Sequence, residues 1–180
     1  IMAGILKVDQ YQDFNGNNIM TSDGSGNITL SDNITTINSA ALKNTPAFHA
    51  TVNASNSTTD NVETKVSFAT EVIDTDNAYD TSTSKFTVPS GKAGKYFIYS
   101  RIRVNSATDS EIYDILVKKN GSSVFQHSAN QYRYTSAYVS GILDLAASDY
   151  IEIYVLISGG LSLRNETTTM FFGGYKLIGA

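Results

Sequence analysis

In the run 86–99 two strand signals flank one turn, and that arrangement restricts the chain to β-architectures more firmly than any other stretch. Phe86 and Val88 alternate with Thr87, so one side can enter a core while the other stays polar. Pro89 has no ladder donor and closes the first strand, and Gly91 and Gly94 supply backbone angles that other residues resist. Tyr96, Ile98, Ser100, Ile102 and Val104 then share one side of a second, full-length strand. Two prolines, eleven tyrosines and abundant Ser, Thr and Asn extend the reading to many short strands joined by polar turns. Helical periodicity is nearly absent, with one helical turn expected at 38–43. The expected class is all-β.

At 180 residues the chain can bury about two thirds of its unfolded surface, so it requires neither disulfide nor metal to fold. It has no cysteine, which excludes thiolate metal sites. A net charge of −4 without any basic run argues against a nucleic-acid partner. Apolar runs fall far short of a membrane span, and no charged-then-apolar signal opens the sequence, so membrane insertion is not expected. Met2 reads as the native start, with Ile1 a remnant ahead of it.

Two textures divide the chain at about residue 45. Residues 1–45 are rich in Asn, Gly, Asp and Ser. Short strands are expected at Ile5, Leu6 and Val8, at Ile19 and Met20, and at 28–30, with turns at 13–16 and 23–26. These strands hold too few apolar groups for an independent core, so the segment is expected to order against copies of itself or a larger assembly. The opposing reading is a polar leader without fixed structure. Residues 46–180 read as one compact β domain with ten strands, at 47–52, 63–67, 86–88, 95–104, 112–119, 122–128, 132–145, 150–158, 161–164 and 170–178. Asn120 and Gly121 form one hairpin turn, Gly159 and Gly160 another. A sandwich or jelly roll is the expected architecture.

A resemblance now becomes visible in particular residues. Asn77, Tyr79 and Asp80, then Phe86, then Gly94, Tyr96 and Ile98 resemble the core signature of the globular head of complement component one, subcomponent q, within the tumour-necrosis-factor-like jelly-roll superfamily. Ala47 and Phe48 resemble its opening strand, and 119–121 its central hairpin. Ser140, Gly141, Leu143 and Leu145 with Asp149, Ile151 and Ile153 resemble its late strand pair, and 172–178 its closing strand. Three departures stand out. The step from Phe86 to Gly94 is longer than in the animal pattern, Ile98 replaces an aromatic, and Ser148 stands where a glycine is usual. No collagen-like stem precedes the head, which makes a complement role improbable. The stretches 4–10 and 25–30 are instead similar to leaders of bacteriophage fibre and virion structural proteins.

The resemblance implies a homotrimer packed about a threefold axis. Along 132–145, Tyr132, Tyr134, Ser136, Tyr138 and Ser140 share one side, and Ala137, Val139, Leu143 and Leu145 share the side suited to the interior. Tyrosine suits both subunit interfaces and sugar-binding surfaces. Tyr132, Tyr134 and Tyr138 are therefore expected at the trimer interface.

No catalytic constellation is apparent. His49 and His127 lack metal-ligand spacing, no Gly-x-Ser-x-Gly turn occurs, and no lysine follows the glycine-rich turn at 23–26. The carboxylate pairs Asp74/Asp76 and Asp109/Glu111 read as solvated turn residues. No enzyme, cofactor or metal is expected. The expected function is a non-catalytic trimeric phage protein on the virion surface, a fibre or tail-tip adhesin binding host glycan or protein. Residues 1–45 would join it to other virion proteins. A capsid decoration, cement or head-fibre role is the alternative. Receptor contact is expected from loops carrying Asn56, Asp60, Asp76, Asn77 and Asp109, since recognition concentrates on loops held by a rigid frame.

Overall fold

The computed structural model describes residues 10–25, 27–30, 44–105, 110–131 and 136–177. The expected strand at Ile5 to Val8, the helical turn at 38–43, and Asp109, Tyr132 and Tyr134 lie outside these residues. The chain divides into two compact units, Ile1–Lys43 and Asn44–Ala180.

Within the first unit, strands β1 (Gln10–Gln12), β2 (Asn18–Ser22) and β3 (Ile28–Leu30) form an antiparallel meander. Both turns are built the same way. Asp13 accepts the amides of Asn15 and Asn17 through Oδ1, at 2.9 Å each, and Asp23 does the same for Ser25 and Asn27 at 2.7 and 3.2 Å. The short aspartate side chain thus folds back on its own backbone and fixes each turn. β1 is polar and exposed, which is why no apolar signal announced it.

Among the described residues the second unit holds eleven strands: β4 (Ala47–Thr51), β5 (Thr64–Lys65), β6 (Thr70–Asp74), β7 (Tyr79–Asp80), β8 (Lys85–Thr87), β9 (Gly94–Arg103), β10 (Ser110–Lys119), β11 (Ser122–Gln131), β12 (Ser136–Leu145), β13 (Tyr150–Ile157) and β14 (Phe171–Lys176). One sheet has the order β12-β9-β14-β4-β6. The other runs β11-β10-β13-β8-β7, with β5 also paired to β13. The two sheets form an all-β jelly-roll sandwich.

Ten strands were expected, and the differences have local causes. β6 is exposed along nearly its whole length and shows no alternation, so only its backbone pairing with β4 marks it as a strand. β7 has two residues. The strand expected at 161–164 is a single bridge, Leu163 to Val104, because the Leu163 amide turns aside to the Asn56 carbonyl at 2.7 Å.

Between the sheets the aromatic signal of 86–99 becomes core. Phe86, Val88, Tyr96 and Ile98 are fully buried or nearly so. Phe48 stacks on Phe86 with centroids 4.4 Å apart and meets Phe172 edge-on at 4.9 Å. Tyr113 donates its hydroxyl across the sandwich to the Ile102 carbonyl at 2.7 Å, so a buried polar tip stays satisfied. Ser148, standing where glycine is usual, has φ of 71°, the left-handed conformation a glycine would adopt without strain.

Strand register fixes the two ends of the sandwich. At the base, the Lys176 amide donates to Pro46 and the Leu177 amide to Lys95, at 2.9 and 2.8 Å, so the chain enters and leaves the head side by side. At the opposite end, the loops after β4, β9 and β13 meet. There Asn105 donates its amide to Ser162 and Leu163 to Asn56.

Candidate functional site

Strands β9, β14 and β4 carry apolar or aromatic residues on both sides. Inward, Tyr96, Ile98, Phe172 and Phe48 fill the core. Outward, three rows of register partners cross the sheet. Tyr138, Arg101, Phe171 and Thr51 form the first row, Ser140, Tyr99, Gly173 and His49 the second, and Ile142, Phe97, Tyr175 and Ala47 the third. Ile73 of β6 extends the second row.

These side chains make one continuous aromatic face. Phe97 lies 6.0 Å from Tyr99 and 5.6 Å from Tyr175, and Tyr99 lies 6.1 Å from Phe171, all between ring centroids. His49 stacks near Tyr99 and tilts against Phe171. Gly173 makes the arrangement possible, because a Cβ there would collide with the Tyr99 ring and hydroxyl. Burial raises the Tyr99 pKa, and the neighbouring phenols of Tyr138 and Tyr175 raise it further. Yet the face is uncovered at its margins: Tyr138 is 47% exposed, Ile142 60% and Ile73 51%. A patch of this breadth with large apolar groups still in water is the mark of a contact surface.

Of the tyrosines expected along β12, Tyr138 stands on this face, while Ala137, Val139 and Leu145 point into the core as the alternation required. Sequence reasoning missed Phe97, Tyr99, Phe171, Tyr175 and His49. The signal was available: a strand that is aromatic on both sides, as β9 is at 96–99, is made to be covered on both sides.

The loop residues expected to contact a receptor separate into two groups. Asn56 and Asp60 stand at the end opposite the base, where their polar atoms tie loops together. Asn56 accepts the Ser67 amide at 2.6 Å, and Asp60 accepts the Gly159 amide at 2.7 Å. Asp76 and Asn77 stand at the base. Asp76 pairs with Lys92 at 3.0 Å, and the hydrogen bonds from Thr75 and Lys92 outweigh burial to lower its pKa. Asn77 takes φ of 51° to close that turn. Asp74 of the same turn accepts the Tyr79 amide at 2.8 Å.

Two open recesses lie elsewhere. One, of about 260 Å³, is lined by Lys65, Val66, Ser67, Ser82, Thr83 and Ser84. Its Ser82 and Thr83 hydroxyls donate to Asp80, whose pKa they pull down to about 2. The other, about 330 Å³, lies along 76–80 and 87–89. Among the described residues no group of three or more His, Cys, Asp or Glu side chains is placed to hold a metal.

Comparison with known proteins follows the same geometry. No curated protein matches the sequence. Among solved structures the chain is similar to murine APRIL, with 20% identity and a TM-score of 0.60, covering 73% of this chain and 98% of that one. It is also similar to the globular domain of a zebrafish complement 1qA protein, with 15% identity and a TM-score of 0.52, covering 73% of this chain and 97% of the other. The family model described as the C1q domain matches residues 47–177. That span takes in every strand of the sandwich, and the chain belongs to the C1q domain family.

Proposed function

We propose that this chain is a non-catalytic homotrimeric head of a bacteriophage virion protein. Three copies bury the aromatic face against one another, and the loops opposite the base are presented to a host-surface glycan or protein. The observation that carries the assembly is the outward face of Phe97, Tyr99, Tyr138, Phe171 and Tyr175, since stacked rings with margins still in water gain most by being covered. A C1q-family sandwich fits a binding or structural role. Neither open recess offers a nucleophile held by a base, and the hydroxyls of Ser82 and Thr83 are committed to a carboxylate.

Presentation follows from where the chain enters. With Pro46 and Leu177 at the base, the loops bearing Asn56 and Asp60 lie farthest from whatever holds the head. The recognition surface on this reading includes Asn56 and Asp60 rather than Asp76 and Asn77, which stand at the base. The virion setting rests on the similarity of 4–10 and 25–30 to phage leaders, with residues 1–45 as the attachment to other virion proteins.

Sedimentation equilibrium at neutral pH should give three times the protomer mass, and the purified chain should bind host bacteria and block infection. A monomer at micromolar concentration removes the assembly. A trimer that neither binds nor blocks leaves assembly standing and removes the adhesive role.

A further inference from the structure

His49 sits within the aromatic face. It stands opposite Gly173 of β14 and Ile73 of β6, with its ring centroid 6.0 Å from Tyr99 and 5.6 Å from Phe171. Its Nδ1 lies 3.1 Å from the Tyr99 hydroxyl. That hydrogen bond survives protonation, because the hydroxyl oxygen can accept from Nδ1–H as readily as the hydroxyl can donate to bare Nδ1. Charge is what changes.

The surroundings offer a cation two aromatic rings but, among the described residues, no carboxylate ion-paired with His49. Tyr99, Lys95, Arg101 and Arg103 face outward from β9, Tyr175 from β14, and Tyr138 and Asp144 from β12. Lys95 holds Asp144 at 3.2 Å, and Arg103 is paired with Glu166 at 3.0 Å. β6 meets His49 with Ile73, while its Glu71 stands opposite Ala50, past a bulge. In the His49 row and the two rows flanking it, the one charged residue is Arg101, a cation.

We propose that His49 makes assembly of the head acid-sensitive, with the trimer favoured while the imidazole is neutral and released when it takes a proton. The inference rests on the trimeric reading above. Half-burial in the single protomer already holds the His49 pKa below the ordinary histidine value. Covering the face with two more copies strips the remaining water from three imidazoles and depresses that value further. The separated protomers then bind protons more readily than the trimer. By linkage, assembly is at full strength above the protomer's His49 pKa and is lost as pH falls toward the trimer's lower one. With three sites, the association constant falls by up to about a thousandfold per pH unit inside that window.

The test is sedimentation velocity of the full chain at several concentrations between pH 8 and pH 5. His49→Gln and His127→Gln are run beside it, and far-UV circular dichroism confirms that each stays folded. His127, exposed on the other sheet, is the one other histidine and serves as the control. The wild type and His127→Gln should dissociate on acidification, while the oligomer that His49→Gln forms at pH 8, whatever its strength, should not change down to pH 5. A wild-type trimer unchanged from pH 8 to pH 5, or a His49→Gln variant with the wild-type pH dependence, overturns the role of His49. A wild type that is monomeric even at pH 8 overturns the trimer instead. If His49→Gln fails to assemble at all, imidazole NMR of the wild type decides. His49 must titrate at lower pH in concentrated, assembled protein than in dilute protein, and equal values refute the proposal.

Discussion

On the six-stranded sheet the outward tyrosines lie under lysines, whereas on the five-stranded sheet they lie among other rings. Lys85 sits 4.0 Å over Tyr150, and Lys118 4.2 Å over Tyr154. Lys65 then holds Glu152 at 2.6 Å, and Lys118 also pairs with Glu63. Each ring on that side has a hydrated cation as its lid, and each cation has a carboxylate or ring as its partner. Such a face is finished in water. On the other side Tyr99, Phe97, Phe171 and Tyr175 turn their edges and faces toward one another, and the outer margins of Tyr138 and Ile142 remain open. Both faces contain tyrosine, so residue type alone does not distinguish a contact surface from a solvated one. What the ring touches does.

The strongest test of that contrast is a matched pair of double substitutions. Tyr99→Ala with Phe171→Ala should abolish the trimer, since central aromatic anchors each contribute about 2 kcal/mol or more to an interface. Tyr150→Ala with Tyr154→Ala should leave the mass in sedimentation unchanged and cost only about 0.5–1 kcal/mol of stability per lost cation–π contact. Equal effects on assembly would dissolve the distinction. Next in size, Gly173→Ala should destabilise the head by about 1–3 kcal/mol in urea titration, because the new methyl displaces Tyr99. It should weaken the trimer as well.

Smaller effects sharpen the picture. Glu63→Gln removes the carboxylate that Lys118 meets at the solvated face, and should cost no more than about 1 kcal/mol and vanish at high salt. The smallest is an acid response at the base. Lys119 and Asn120 hold the Asp149 pKa down to about 2. A carboxylate whose folded value is depressed contributes stability above its unfolded value near 3.8 and loses it as pH falls toward 2. Asp149→Asn should flatten thermal stability over about pH 4 to pH 2, without touching the assembly response assigned to His49 at higher pH.

Much of the scaffold could be read from local pattern. Asn120 and Gly121 take φ of 52° and 82°, as the hairpin turn demands, and the alternation around Tyr96 and Ile98 fills the core. The aromatic face was harder, because its members come from positions 49, 97, 99, 138, 171 and 175, and only sheet order β12-β9-β14-β4 makes them neighbours. Alternation says which side a residue takes but not which strand will lie beside it. Asn56 and Asp60 illustrate a second limit. Polar loop residues look alike in sequence, and nothing local shows that each of these two commits an oxygen to the backbone amide of another loop residue, Ser67 for Asn56 and the distant Gly159 for Asp60.

β5 and β8 occupy successive stretches of a single edge of β13: Lys65 and Thr64 face Tyr154 and Val155, and Phe86 and Thr87 face Ile151 and Tyr150. Between them the ladder is interrupted, and the Phe68 amide finds the Ser84 hydroxyl at 2.9 Å in place of a strand partner. Each strand is therefore docked to β13 separately, with the chain between them running out to the other sheet. The segment 69–83 is thus a lacing stitch: it leaves the edge of one sheet, pairs β6 with β4 at the edge of the other, and returns through the buried Tyr79 to β8, so that one excursion of chain ties both layers together.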